Sequence, residues 1–315
     1  MSILRSILPG ALRAPGNERA FYQQAALALR VGFGLLFIIG GLSKLSQALD
    51  PARAEALVAL YVSGKGYINS FFLQYLFEGA LGAVMTPWLF LTALSTFELL
   101  SGIALVAGFL VRPLCVLYGL MLWSFVFSLP VTTSPGAAVA EPTYLAPALF
   151  VQVRDVGLSG LFFVLYNLGS GVWSLDQRLG LPQPDRPFSW EPLGLLFRLS
   201  LGVIFLVGGF FAGMPNIKDF GVPGVLLAII GLMMVSGIGV RFAAAGFLAV
   251  MLWYVGHSIS PEVSVLANLN GFKREIALLA ASGVLFMFGG GRLFTLASPQ
   301  AWRGAMFSRL RVERA

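Results

Sequence analysis

The sequence predicts an all-α integral membrane protein whose eight transmembrane helices form two parallel four-helix repeats. Composition is the first reason. Hydrophobic residues make up 57% of the chain, charged residues only 11%, and mean hydropathy is +0.84, whereas a soluble domain carries about 25% charge. The second reason is segment length. The apolar runs match the roughly 20 residues a helix needs to cross the acyl core, and they lack the period-two alternation of membrane β-strands. Backbone polar groups in lipid must pair within their own segment, so such runs are helices. The third reason is that short motifs recur in the same order along the chain.

Eight apolar segments read as spans, at about 25–44, 86–110, 113–130, 147–171, 194–213, 222–239, 242–260 and 275–295. The segment 1–24 is expected to lie in the interface or to form a cytoplasmic tail. It is not expected to be a cleaved signal, because Pro9, Gly10 and Arg13 interrupt its apolar stretch. Residues 25–180 form the first unit, with an outer insertion over about 46–85. That insertion begins with a helix start, Asp50 as N-cap and Pro51 at the first helical position. It carries Tyr61, Tyr67, Phe71, Phe72, Tyr75 and Phe77, which suits an interfacial lid or a docking surface. Residues 194–297 form the second unit, and 298–315 a basic tail.

Orientation follows from the cations. Fourteen of the 21 lysines and arginines fall on the side of the termini. Seven fall on the other: Lys44, Arg53, Lys65, Arg154, Lys218, Lys273 and Arg274. The positive-inside rule then places both termini in the cytoplasm. The net charge of +7 and pI near 9.9 express this topology. Nucleic acid is excluded as a partner, because the sequence has no polar domain in which a basic patch interleaves with aromatics.

The recurrence is extensive. Arg30, Gly34, Phe37, Gly40 and Gly41 return as Arg198, Gly202, Phe205, Gly208 and Gly209, an offset of 168. Gly102, Gly108 and Arg112 return as Gly231, Gly237 and Arg241, an offset of 129. Arg154-Asp155, Gly169 and Gly171 return as Arg274-Glu275, Gly289 and Gly291, an offset of 120. Four spans per unit is an even number, so the two copies share one orientation. The glycines read as close-packing positions between helices. The flanking arginines read as cytoplasmic anchors that snorkel to the interface.

The first span, RVGFGLLFIIGGLSKL at 30–45, ends on a lysine that its second writing, RLSLGVIFLVGG, lacks. Lys44 follows Arg30 by fourteen residues, and Glu98 precedes Arg112 by fourteen. At 1.5 Å per residue both lie about 21 Å from the cytoplasmic boundary, on consecutive antiparallel spans. Opposite charges at one depth can pair, and an unpaired Glu98 would cost on the order of several kcal/mol there. The repeat offsets put Ala212 and Leu227 at these positions in the second copy. The pair therefore belongs to one copy, as a functional centre or as a tie between two helices.

One His and one Cys cannot supply bis-His haem ligation, an iron–sulfur site, a zinc cluster or an internal disulfide. Cys115 reads as a small packing residue. The GGGR at 289–292 closes a span and opens no helix over a phosphate.

Several of these motifs also carry a family resemblance. Arg30 with GGLSKL, FELLSG from Phe97, GFLVR ending at Arg112, VRDVGLSGL and GSGVWSLD resemble the DoxX superfamily of four-helix membrane proteins. The insertion segment GYINSFFLQYLFEGAL resembles its DoxD branch, which includes the small subunit of thiosulfate:quinone oxidoreductase. The resemblance covers 21–180 closely and 194–297 more loosely. It implies a bacterial inner-membrane component of a quinone-coupled redox system. Quinone would be the electron acceptor, and membrane lipid and other redox subunits the partners. Glu98 and Lys44 are then the candidate catalytic pair. Arg154, Asp155 and His257 are candidates for binding substrate anion or quinone, His257 because its pKa range suits proton transfer. Arg154-Asp155 and His257 also read as interfacial groups. Two other classes remain: a non-catalytic subunit anchoring a larger respiratory, oxygenase or photosynthetic complex, and a small-molecule or lipid transporter.

Overall fold

The computed structural model describes residues 18–62, 73–128, 148–183, 189–214, 217 and 220–296. These are helical and contain no strand. In chain order the helices are α1 Glu18–Ala48, α2 Pro51–Val62, α3 Pro87–Ala107, α4 Val111–Ser128, α5 Ala148–Leu168 and the short α6 Leu175–Arg178. Then follow α7 Trp190–Phe210, α8 Gly224–Ser236, α9 Val240–Ser258, α10 Val265–Gly271 and α11 Lys273–Phe288. Among them α1 from Ala20, α3, α7 and α9 are long and apolar enough to cross a membrane, and α4 and α8 are shorter apolar helices.

All eight apolar segments are helical, with two instructive differences at their ends. Lys44 does not close α1, which runs on to Ala48; its ammonium is instead paired with Glu98. The last helix stops at Phe288, short of 295. Gly289 and Gly291 adopt positive φ (73° and 67°) immediately after it, a conformation that disfavours residues with a Cβ. α3 shows how such an element is specified. Thr86 caps it by accepting from the Leu89 amide at 3.2 Å, Pro87 takes the first position, and left-handed Gly108 ends it.

Glycines set the closest approaches. A Cβ on Gly34 of α1 would stand 2.7 Å from the Gly102 carbonyl of α3, and one on Gly209 of α7 would stand 2.3 Å from the Ala228 amide of α8. Neither distance is physically available to a side chain, so each helix pair packs backbone to backbone. Beyond these pairs α4 packs on α5 and α9 on α11. Two further contacts cross the chain: α1 on α11, and α5 on α7. One buried apolar cluster, from Ala25 to Phe288, runs through all these helices.

The arginines at the starts of the repeated motif are not snorkelling anchors. Arg30 is 1% exposed and Arg198 is 0%. Arg30 Nη2 donates to the carbonyls of Val172 (2.7 Å) and Trp173 (3.0 Å). Arg198 Nη2 donates to Leu293 (2.6 Å) and Phe294 (3.0 Å), and its Nη1 donates to Met234 and Val235. Trp173 and Phe294 share a positive φ, 52° and 50°. A guanidinium fork can satisfy several converging carbonyls where no water reaches, and that demand outweighs the pull toward the interface.

The insertion opens as expected. The Asp50 carboxylate accepts from the Ala52 amide at 3.0 Å and from Arg53 Nε at 2.6 Å. Leu57 and Tyr61 of α2 are buried with Ala48 and Leu91, which fastens α2 over the start of α3. Tyr75 is exposed. Tyr67, Phe71 and Phe72 lie outside the described residues, as do Lys65, Lys218, most of segment 1–24 and the tail 298–315.

Candidate functional site

α3 carries three buried polar residues on one face. Ser95, Glu98 and Ser101 are three residues apart and 1%, 3% and 6% exposed, a spacing that aligns them on a helix. Glu98 Oε2 forms an ion pair with Lys44 Nζ of α1. Ser101 shares a hydrogen bond with the hydroxyl of Tyr118 on α4. Tyr118 is fully buried, with its ring 3.6 Å from Phe37 and 5.3 Å from Phe162, centroid to centroid. Ser95 Oγ donates to the Leu91 carbonyl at 2.6 Å.

The matching positions of the second half are apolar or lack a side chain: Gly224, Leu227, Ile230 and Phe247, with Ala212 for Lys44. Phe247 stacks on Phe205 at 4.0 Å, as Tyr118 does on Phe37. The polar column is thus confined to the first half, while the aromatic stack is present in both.

Arg154 and Asp155, which also read as interfacial groups in the sequence, lie inside the protein. They are 2% and 0% exposed and face the charged first turn of α11. Arg154 pairs with Glu275. Asp155 receives Arg274 in two-pronged fashion, Nε at 2.8 Å and Nη2 at 3.2 Å. Interface anchoring fails as a description because each charge finds an opposite charge inside the protein. The two pairs are reciprocal: each Arg-acid dipeptide gives its Arg to the other's acid.

Lys273, the residue before Arg274, reaches the first half. Its ammonium lies against Gly40, one turn before Lys44, and donates to Asn270 Oδ1 at 2.7 Å. The candidate site is therefore composite, with Lys44 and Glu98 from the first half and Lys273 from the second. His257 lies elsewhere in its contacts: it is exposed at the end of α9 and stacks on Trp253 with ring centroids 5.5 Å apart. Cys115 is buried. Among the described residues no group of three His, Cys, Asp or Glu side chains could hold a metal ion.

Ser101, Tyr118, Asn270 and Lys273 are absent from the sequence-based candidates. The first two carry a readable signal, since the offset of 129 sets them against Ile230 and Phe247. Lys273 carries none, because α1, on which its ammonium rests, is remote in sequence.

Comparison with known proteins gives one family. Residues 25–130 match the model of the DoxX family, about a third of the chain, spanning α1 to the end of α4. The match does not itself distinguish the DoxD branch. No curated protein and no solved structure matches the chain.

Proposed function

We propose, on the premise that residues 25–130 are a DoxX domain, that the chain is a DoxD-like component of a quinone-linked redox system in the bacterial inner membrane. In this reading eight spans form two parallel four-helix repeats, residues 25–180 and 194–297, with both termini cytoplasmic. Several matched features support the repeat. Arg30 and Arg198 each hold two consecutive carbonyls just beyond the last long helix of their half. Gly108 and Gly237 share a positive φ (72° and 77°), and Leu110 and Gly239 do likewise (52° and 60°). The α1–α11 and α5–α7 contacts are exchanged between the halves, as are the Arg154–Glu275 and Asp155–Arg274 pairs.

The observation that carries the functional reading is the Lys44–Glu98 ion pair, set in apolar helices and absent from the second copy. Intramembrane ionisable residues are costly and concentrate where protons or charged groups are handled. Quinone reduction consumes protons, and a carboxylate paired to an ammonium within the membrane can exchange one with a bound quinone. The test is quinone reduction on thiosulfate addition to the purified protein. Glu98→Gln and Lys44→Met should each lower the rate at least tenfold, while Leu227→Gln at the corresponding second-copy position leaves it near wild type. Wild-type rates in both first-copy variants would remove the site.

A second reading, a non-catalytic subunit that anchors a larger membrane complex, is favoured by the Arg154–Glu275 and Asp155–Arg274 quartet. There, charges of the same kind serve only to join helices. Cofactor-bearing subunits that copurify, with no quinone reduction by the chain alone, would select it.

A further inference from the structure

Lys273 carries a charge that the quinone-linked reading does not use. It belongs to the second half, yet its Nζ rests on α1 of the first: a Cβ at Gly40 would stand only 3.2 Å away. Among the described residues the charged side chains of Lys44, Arg274, Glu98 and Asp155 are its neighbours. These already match one another as Lys44–Glu98 and Arg274–Asp155, and the neighbouring Arg154 is matched by Glu275. Among the described residues this leaves the ammonium of Lys273 without a carboxylate of its own. Its Nζ donates at 2.7 Å to the neutral Oδ1 of Asn270 rather than to a carboxylate. The corresponding residue of the first half is Val153, so this ammonium is no part of the repeated packing pattern.

A cation in apolar surroundings, beside two other cations, keeps its proton only if it gains a counter-charge. An ammonium has three donors, and Lys273 and Lys44 each spend one on the partners named above. Lys44 and the Gly40 position against which Lys273 rests stand one turn apart along α1, and both lysines are partly exposed. We propose that Lys44 and Lys273 form an anion-binding site shared between the halves, taking a singly charged phosphate-type group. That chemistry is common to an acidic phospholipid headgroup and to free phosphate. A single charge fits because one ammonium lacks a carboxylate. A phosphate-type oxygen cluster fits because two ammonium groups are radial point donors rather than a planar fork. The site is independent of quinone chemistry and would survive the failure of that reading.

The test is thermal unfolding of the full-length chain in nanodiscs of phosphatidylcholine alone, at fixed ionic strength. One arm titrates inorganic phosphate; the other replaces part of the lipid with phosphatidylglycerol. A saturable rise in Tm in the first arm identifies a free anion, and a rise confined to the second identifies a lipid headgroup; either supports the site. Lys273→Met should weaken that response at least tenfold in midpoint concentration. Lys273→Arg should keep most of it, and Arg53→Gln, at the exposed start of α2, all of it. No saturable response in the wild type, or an unchanged response in Lys273→Met, overturns the proposal. A Lys273→Met protein with a lower basal Tm but the full response shows a purely structural lysine and overturns it equally.

Discussion

Removing Arg154 isolates what the reciprocal ion pairs contribute. In Arg154→Leu, Glu275 is left 0% exposed and without its guanidinium, while its Oε2 already lacks a hydrogen-bond partner. Orphaning one member of a buried pair typically costs about 3–5 kcal/mol, whereas replacing both members by apolar residues of similar size is often neutral or stabilising. The net polar coupling between membrane helices is smaller, averaging roughly 0.6 kcal/mol. The larger figure governs here because the loss is the cost of an unpaired carboxylate rather than the worth of the pair. Arg154→Leu and Glu275→Leu should therefore each destabilise the protein by about 3 kcal/mol. The double variant should recover most of the loss, with a coupling of about 2 kcal/mol or more. Equilibrium unfolding in mixed micelles of the wild type, both single variants and the double variant measures this cycle. If the double variant loses the sum of the single losses, the two side chains are not coupled and the assignment of the pair is refuted.

Three further outcomes follow from the same structure. Arg198→Leu removes a donor from four carbonyls, of which Met234 keeps a second one, the Gly237 amide, and should cost about 3 kcal/mol or more, read as a lower unfolding midpoint; Arg198→Lys should not restore it, because a point donor cannot span them. Gly34→Val should separate α1 from α3 and lower stability by at least about 2 kcal/mol, while Gly180→Ala, where a Cβ meets nothing within 4 Å, should cost well under half as much despite its positive φ, by the same unfolding measurement. The Asp50 carboxyl is held below its usual range by Arg53 and by the Ala52 amide. A lowered pKa stabilises the charged form, so this contribution is present at neutral pH and is lost as pH falls through the folded value. Hydrogen exchange at the start of α2 should accelerate on acidification, and Asp50→Asn should largely remove that acceleration.

Helix positions are local properties, and the chain displays them openly. Long apolar runs, the Thr86-Pro87 and Asp50-Pro51 starts and the glycine stops need only neighbours within a few residues, so the class and the order of helices can be read directly. The meeting of Lys44 and Glu98 is legible too, because equal counts from Arg30 and Arg112 along consecutive antiparallel helices bring them to one level. The burial of Arg30 and Arg198, the crosswise exchange of Arg154 and Asp155 with Glu275 and Arg274, and the arrival of Lys273 at Gly40 are not legible. Each depends on which helix face meets which partner more than ninety residues away. Periodicity specifies a face but not its neighbour, and a charge in an apolar run is anchor or buried pair according to that neighbour alone.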